Sequence, residues 1–417
     1  MTLLGSKKSR KGCTQCKHRR VKCTEESPAS RDTKTEEPLP TTTNEWLQEM
    51  ELMHHYSTVL SKEPLLYVLA LIITSPTCRR PLQIICSYAL ILQDVAELWQ
   101  TYIPSQALTH PHLLHGLLAF SALNLADLHR GNPRAAHYLT ICDKHQSVAI
   151  AALRNTLASP GVNITPENSA SLFALAATLS ISSMARSCAV ANAQTAVPRF
   201  FSVEEIAEAV FLTKGMREVT GLTMGFVLDT PIGIMLTSHS MEDEAGVDPE
   251  SARLPVAVRE RFEALRWMLR DRCTASTLAT NSKSGSDSHS DDPDTLETCE
   301  KALEDLEEIY RNLRYFKRKG RLQNGHLWRW PAMVPLPFAH LLAARHPPTL
   351  IIVAHFAAAT VCLRRAWFVR DWGEYALEGI ARALEHDPEM SRWLEWPREQ
   401  LGKEMEGVVG DVDERTR

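Results

Sequence analysis

Apolar side chains at Leu296, Cys299, Leu303, Leu306, Tyr310 and Leu313 recur at alternating steps of three and four residues. Only a helix returns side chains to one face at that spacing, and so narrow a stripe is a seam that needs a partner helix. The same pattern governs most of the chain beyond residue 46. Ser202 and Glu205 frame a Ser-x-x-Glu capping box, and Val203, Ile206, Ala207, Val210 and Phe211 then fall on one face. Thr165-Pro166 predicts another helix start, with Thr as N-cap and Pro at the first helical position, where its missing N–H costs nothing. The stretches 111–128, 134–158 and 350–368 are apolar enough to predict largely buried helices. No run alternates with a period of two, no tight hairpin signal occurs, and nothing repeats at a fixed period. The expected body is all-α.

Charge divides the chain unevenly. Residues 1–23 hold eight Lys or Arg and no acid, while the other 394 residues hold 38 basic and 50 acidic groups, a net −12. A short cationic arm on an acidic body suits a polyanionic partner. No apolar stretch precedes the N-terminal charges, so no secretory leader is expected. The apolar runs at 65–73 and 82–92 are separated by Pro76, Arg79, Arg80 and Pro81, and 350–363 contains His355 and stops at Arg364-Arg365. All are shorter than the ~20 residues a bilayer requires, so no membrane span is expected. Most of the ten cysteines are scattered singly, unlike a disulfide framework, which points to an intracellular protein.

Two stretches lack the apolar content to offset the entropy of ordering a chain. Residues 24–45 hold three Pro, six acids and only Ala29 and Leu39 as apolar residues, which predicts a flexible acidic linker. Residues 281–294 are rich in Ser and Asp and predict a long loop inside the body, since helical patterns resume on both sides. Residues 401–417 read as an acidic tail.

The chemistry concentrates near the N-terminus. Cys13, Cys16 and Cys23 stand in a C-x2-C-x6-C run, with Lys17, His18, Arg19, Arg20 and Lys22 between the last two cysteines and Lys8, Arg10 and Lys11 just ahead. C-x2-C lets two thiolates reach one metal from a single turn, and six further residues bring a third back to it. Basic side chains held beside such a core suit phosphate and guanine contacts. The run resembles the first half of the fungal Zn2Cys6 binuclear-cluster DNA-binding domain, down to its K-x-R-R-x-K-C phrase. The resemblance implies Cys13, Cys16 and Cys23 as zinc ligands. It also implies that Lys17, His18, Arg19, Arg20 and Lys22 lie on or near a helix in the major groove of double-stranded DNA, with Arg19 and Arg20 reading bases. The family holds two zinc ions with six thiolates, two of them bridging. Here the next cysteine is Cys78, so the run at 7–23 is half of such a module. Two four-coordinate zinc ions need eight bonds, which three thiolates cannot supply.

The body carries a second likeness. Met50-Glu51-Leu52-Met53-His54-His55-Tyr56 resembles the opening of the regulatory domain in zinc-cluster regulators of the sterol uptake control type. Leu98-Trp99-Gln100, the stretch from Ala107 to Gly116, Ser121-Ala122-Leu123, and Ile164-Thr165-Pro166-Glu167-Asn168 resemble its next helices. Trp330-Pro331, His355 to Trp367, Asp371-Trp372-Gly373 and Trp393-Leu394-Glu395-Trp396-Pro397 resemble its closing part. The likeness spans most of 46–400 and implies an all-α regulatory domain. In the family Leu60 would run almost directly into Val95, so about thirty residues, roughly 64–93, read as an insertion or a retained intron.

Other constellations read as structural. His110 and His115 lie five apart, about 140° around a helix, and do not converge on one metal. His54 and His55 are adjacent and point to different faces. Asp291, Asp292 and Asp294 miss the DDxxD spacing of α-helical terpene synthases and sit in a Ser/Gly tract. Trp367, Trp372, Trp393 and Trp396 read as packing anchors that also suit the lining of a pocket. No G-x-S-x-G, P-loop, HExxH or G-x-G-x-x-G occurs, and no enzyme is expected.

The expectation is therefore a nuclear zinc-cluster transcription factor. Its partners would be double-stranded DNA and the transcription machinery, with homodimerisation open and, by resemblance, a sterol or lipid-like ligand. The alternative is a chain with an incomplete cluster that acts only through its helical body.

Overall fold

The computed structural model describes residues 41–62, 96–158, 164–193, 200–236, 252–280, 293–320, 322 and 324–409. Two units are distinguished, Met1–Met50 and Glu51–Arg417. The described part of the first is the start of helix α1 (Thr41–Thr58), on which Trp46, Leu47 and Met50 are exposed. Residues 41–45 of this helix lie inside the stretch whose composition reads as linker. All else concerns the second unit. Every regular element among the described residues is helical and none is a strand, so the fold is all-α.

Beyond α1 a 3-10 turn at Leu60–Lys62 closes the first segment. The chain resumes in a π-helical turn at Leu98–Tyr102, then α2 (Ile103–Thr109) and α3 (Pro111–Leu128). Gly131, at φ 75°, supplies the left-handed backbone that turns α3 into α4 (Pro133–Ala158). The two helices form a hairpin against α5 (Pro166–Ala193), and α6 (Val203–Val227) packs on α5 from the other side. A 3-10 turn at Pro231–Leu236 follows α6. The second half comprises α7 (Val256–Thr280), α8 (Pro293–Arg318), α9 (Asn324–Met333), α10 (Leu336–Ala343) and α11 (Pro347–Ala359). A 3-10 turn at Thr360–Leu363 leads on to α12 (Trp372–Ala383), α13 (Pro388–Ser391), α14 (Glu395–Gly402) and α15 (Glu406–Val409). Helix α11 packs against α8, α12 and α14, while α6 reaches α9, α10 and α12 and so joins the halves.

The seam on α8 is as read. Cys299, Leu303, Leu306, Tyr310 and Leu313 are fully buried, and α7, α9, α10, α11 and α15 pack around that helix. Ser202 caps α6 in a reciprocal box: its hydroxyl accepts from the Glu205 N–H at 3.2 Å, and the Glu205 carboxylate accepts from the Ser202 N–H at 2.8 Å. Helix α5 begins at Pro166, with the Asn168 side chain accepting from the Thr165 N–H.

Helix α5 is long and apolar enough to cross a membrane, but 83% of its most apolar window is buried inside the protein. It is rich in Ala and Ser, whose small side chains let neighbouring helices approach closely. Its buried hydroxyls are satisfied internally: Thr178 and Ser182 donate to carbonyls one turn back at 2.8 Å, and Ser180 donates to Thr213 of α6 at 3.3 Å.

Four features differ from expectation, one in burial and three in boundaries. Helix α4 buries one stripe (Tyr138, Ile141, Cys142, His145, Ala149) and exposes much of the remainder, because Arg134, Asp143, Lys144 and Arg154 populate its other face. The helix expected over 350–368 ends at Ala359, where Thr360 turns its hydroxyl back to the Ala357 carbonyl at 2.7 Å and the backbone tightens to 3-10 geometry. Leu401, Met405, Val408 and Val409 are buried, so the packed body continues past residue 400 into the stretch read as tail. Likewise Pro293 and Asp294 belong to α8, while 281–292 lie outside the described residues.

Candidate functional site

The DNA- and metal-binding candidates Lys8, Arg10, Lys11, Cys13, Cys16, Lys17, His18, Arg19, Arg20, Lys22 and Cys23 lie outside the described residues, as do 64–93, Asp291 and Asp292. The organised chemistry of the body falls in three other places.

The first is the histidine-bearing end of α3. His110 caps the α2–α3 junction, with Nδ1 3.0 Å from the Gln106 carbonyl oxygen and 3.0 Å from the Thr109 hydroxyl. His112 Nε2 lies 3.0 Å from the Ser171 hydroxyl. Burial, with His110 beside it, pushes the His112 imidazole down to about 4. His115 Nδ1 lies 2.8 Å from Nδ1 of His145 on α4. One of that pair must supply a proton and the other a lone pair, so the bond needs at least one neutral ring. The three α3 histidines turn to different partners, and no group of three or more His, Cys, Asp or Glu among the described residues is placed to share a metal. His54 is exposed, whereas His55 is buried with Nε2 2.7 Å from Asn124 Oδ1, so the adjacent pair does split between faces.

The second is a cation held among aromatic rings where α7 meets α11 and α14. Arg261 lies 4.7 Å from the Trp393 ring centre and 5.9 Å from that of Trp396. Its Nε–H donates to His355 Nε2 at 3.0 Å, and an Nη2–H donates to the Trp393 carbonyl at 2.7 Å. His355 Nδ1 donates to the Ile351 carbonyl at 2.8 Å, which fixes the tautomer with Nε2 as acceptor. Its ring stacks on Trp396, and the Tyr310 hydroxyl donates to its carbonyl at 2.7 Å. Burial and the adjacent guanidinium push His355 down to about 3, and burial lowers Arg261 to about 10. With both ring nitrogens engaged, His355 is a fixed neutral acceptor that fastens α7 to α11. Sequence reading passed over Arg261, although it stands on the apolar stripe Val258, Phe262, Leu265 and Met268. A cation at such a position is the visible signal of a partly buried charge with built-in partners.

The third joins the end of α3 to the start of α12. Arg130 pairs with Asp127, and its Nη1 lies 3.4 Å from Asp371 Oδ2. Asn192 donates to Asp371 at 3.3 Å and accepts from the Tyr375 hydroxyl at 2.8 Å. Burial raises the Asp127 carboxyl against the opposing pull of Arg130. The Asp371-Trp372-Gly373 phrase thus serves packing: Gly373 sits where a Cβ would meet the Thr360 hydroxyl at 2.3 Å.

The buried tryptophans are anchors. Trp328, Trp330, Trp372 and Phe356 form edge-to-face and stacked pairs with centroids 4.7–5.8 Å apart. The apolar void they share with Met184, Ile206 and Val353 measures about 10 Å³. That is the lower limit for a single water and far below the space a steroid-sized ligand fills.

Cys142, Cys188 and Cys299 are buried and Cys362 half-buried, all as free thiols. Burial pushes Cys142 up to about 12 and Cys362 up to about 11. Thiols so held in the helical core are inert packing groups. In comparison with known proteins, the chain matches no family model and no curated protein.

Proposed function

We propose that this chain is a nuclear DNA-binding transcription regulator of the fungal zinc-cluster type, with a short basic arm for the duplex and an all-α regulatory body. The observation that carries the reading is the run Cys13, Cys16, Lys17, Arg19, Arg20, Lys22, Cys23, in which thiolates and cations interleave at the spacing of that family. Lys8, Arg10, Lys11, Lys17 and Lys22 would neutralise phosphates, and Arg19 and Arg20 would donate in pairs to guanine edges, with His18 beside them.

The donor set does not fit the two zinc ions of the family. Cys13, Cys16 and Cys23 supply three of the six thiolates, and Cys142, Cys188 and Cys299 are committed to the interior of the body. Three thiolates suit one zinc completed by a ligand from elsewhere. This mismatch favours a second reading, in which the body works through ligand or protein partners and the arm binds DNA without reading sequence. Contacts to the transcription machinery, homodimerisation and a sterol or lipid-like ligand belong to either reading.

Zinc content and duplex binding separate the two. The first predicts about one zinc per chain and sequence-selective binding that Cys16→Ser abolishes. Each Lys or Arg that neutralises a phosphate should steepen the log–log salt dependence by ~0.9. Arg19→Ala should relax base preference, while Lys8→Ala should weaken all sequences alike. Weak, uniform binding that ignores Cys16→Ser sinks the first reading. Absence of saturable sterol binding to residues 46–417 removes the ligand.

A further inference from the structure

The first turns of α1 present a large apolar face. Trp46, Leu47 and Met50 are 58%, 48% and 52% exposed. Met50 stands four residues after Trp46 and three after Leu47, so the helix gathers all three side chains on one side. Among the described residues no other helical turn exposes three large apolar side chains. The flank of this face is acidic. Glu45 and Glu49 repeat at the same step of four, one position ahead of Trp46 and Met50, and Thr41–Thr58 contains no Lys or Arg.

We propose that this face docks into an apolar groove, rimmed by Lys or Arg, on a protein of the transcription machinery. The inference rests on the reading of the chain as a transcription regulator and names the partner that its helical part would take. Apolar anchors one turn apart are how an amphipathic helix lies in a groove, and Trp is among the side chains that most often dominate such contacts. Charge then selects among occupants. A second copy of α1 would bring the same acids and no Lys or Arg to meet them, so a symmetric contact would set like charges against each other. A bilayer fails on the same count, because helices that lie in a membrane surface carry cations on their polar face and anionic headgroups repel acids. A groove with an apolar floor and a cationic rim complements both the face and its flank.

The full chain fused to an unrelated DNA-binding domain and read on a reporter gene tests this without calling on the cysteine arm. The fusion should change reporter output relative to the bare tether, and Trp46→Ser with Met50→Ser should cut that change about tenfold, as loss of a central Trp anchor does. Trp46→Phe with Met50→Leu should keep it, and Glu45→Lys with Glu49→Lys should reduce it severalfold. Trp267→Ser removes another well-exposed tryptophan, at 65%, and should leave the output as it was. All variants should keep the helical circular dichroism of the parent chain. Reporter output unmoved by Trp46→Ser with Met50→Ser, or lost equally with Trp267→Ser, overturns the proposal. So does benzoylphenylalanine at position 46 linking to a second copy of the chain, or flotation with equimolar phosphatidylcholine and phosphatidylserine vesicles that Trp46→Ser abolishes. A fusion that leaves the reporter at the level of the bare tether overturns the transcription reading itself, and the docking face with it.

Discussion

A methyl group on Gly379 would stand 1.7 Å from the carbonyl oxygen of Phe201, because the backbone before α6 runs against α12 and the Phe201 N–H donates to the Tyr375 carbonyl at 3.1 Å. No side-chain motion relieves a clash with backbone, so Gly379→Ala should destabilise the body by more than ~3 kcal/mol; a urea unfolding midpoint unchanged from the parent chain would refute it. His355 sets a pH dependence at the same scale. Its folded value near 3 lies below the ordinary 6.5. Above 6.5 the ring is neutral folded and unfolded; below it only the unfolded chain takes the proton. Stability should therefore fall by about 1.4 kcal/mol per pH unit from this residue as pH drops from 6.5 toward 3. Urea titrations between pH 7 and 4.5, repeated on His355→Gln, should show a shallower acid slope in the variant. Neither effect was legible in the sequence: a glycine in a helix and a histidine in an apolar run state nothing of which backbone or cation will face them.

Elements were legible where their causes are local. The capping box of α6 and the seam of α8 are written in residues three and four apart, and both stand as read. Ser202→Ala should cost about 1 kcal/mol, seen as a lower melting temperature, since it strips the acceptor from the Glu205 N–H. Element ends fixed by distant groups were not legible. Helix α9 runs through Pro331 to Met333, and at that end Arg217 on α6 donates to the Ala332 carbonyl (3.2 Å) and Lys214 to that of Val334 (2.5 Å), just past the helix. Cations there satisfy orphaned acceptors and oppose the helix dipole. Lys214→Met should loosen this end, measured as faster amide exchange over α9 and α10 with α3 unaffected. The all-round burial of α5 was hidden for a similar reason, since Ala and Ser at many positions give no stripe to read.

At the scale of the whole molecule, the helical class followed from periodicity, but the extent of the body did not. Val408 and Val409 pack where α15 meets α8, and Arg314 donates to the Val408 carbonyl at 3.0 Å. Ending the chain at Gln400 should lower the melting temperature by at least 10 °C, because it uncovers Leu401, Met405 and both valines. The candidate DNA site is the reverse case: it is legible in sequence through a dense cysteine and basic phrase, and lies outside the described residues. The separation of cysteines between arm and core gives the protein two independent chemical reporters. Adducts on Cys142, Cys188 and Cys299 in an alkylation experiment count molecules whose core has opened. Were the arm to hold zinc through Cys13, Cys16 and Cys23 as proposed, adducts on those three would count metal-free arms, and one mass spectrum would read unfolding and metal loss on separate channels.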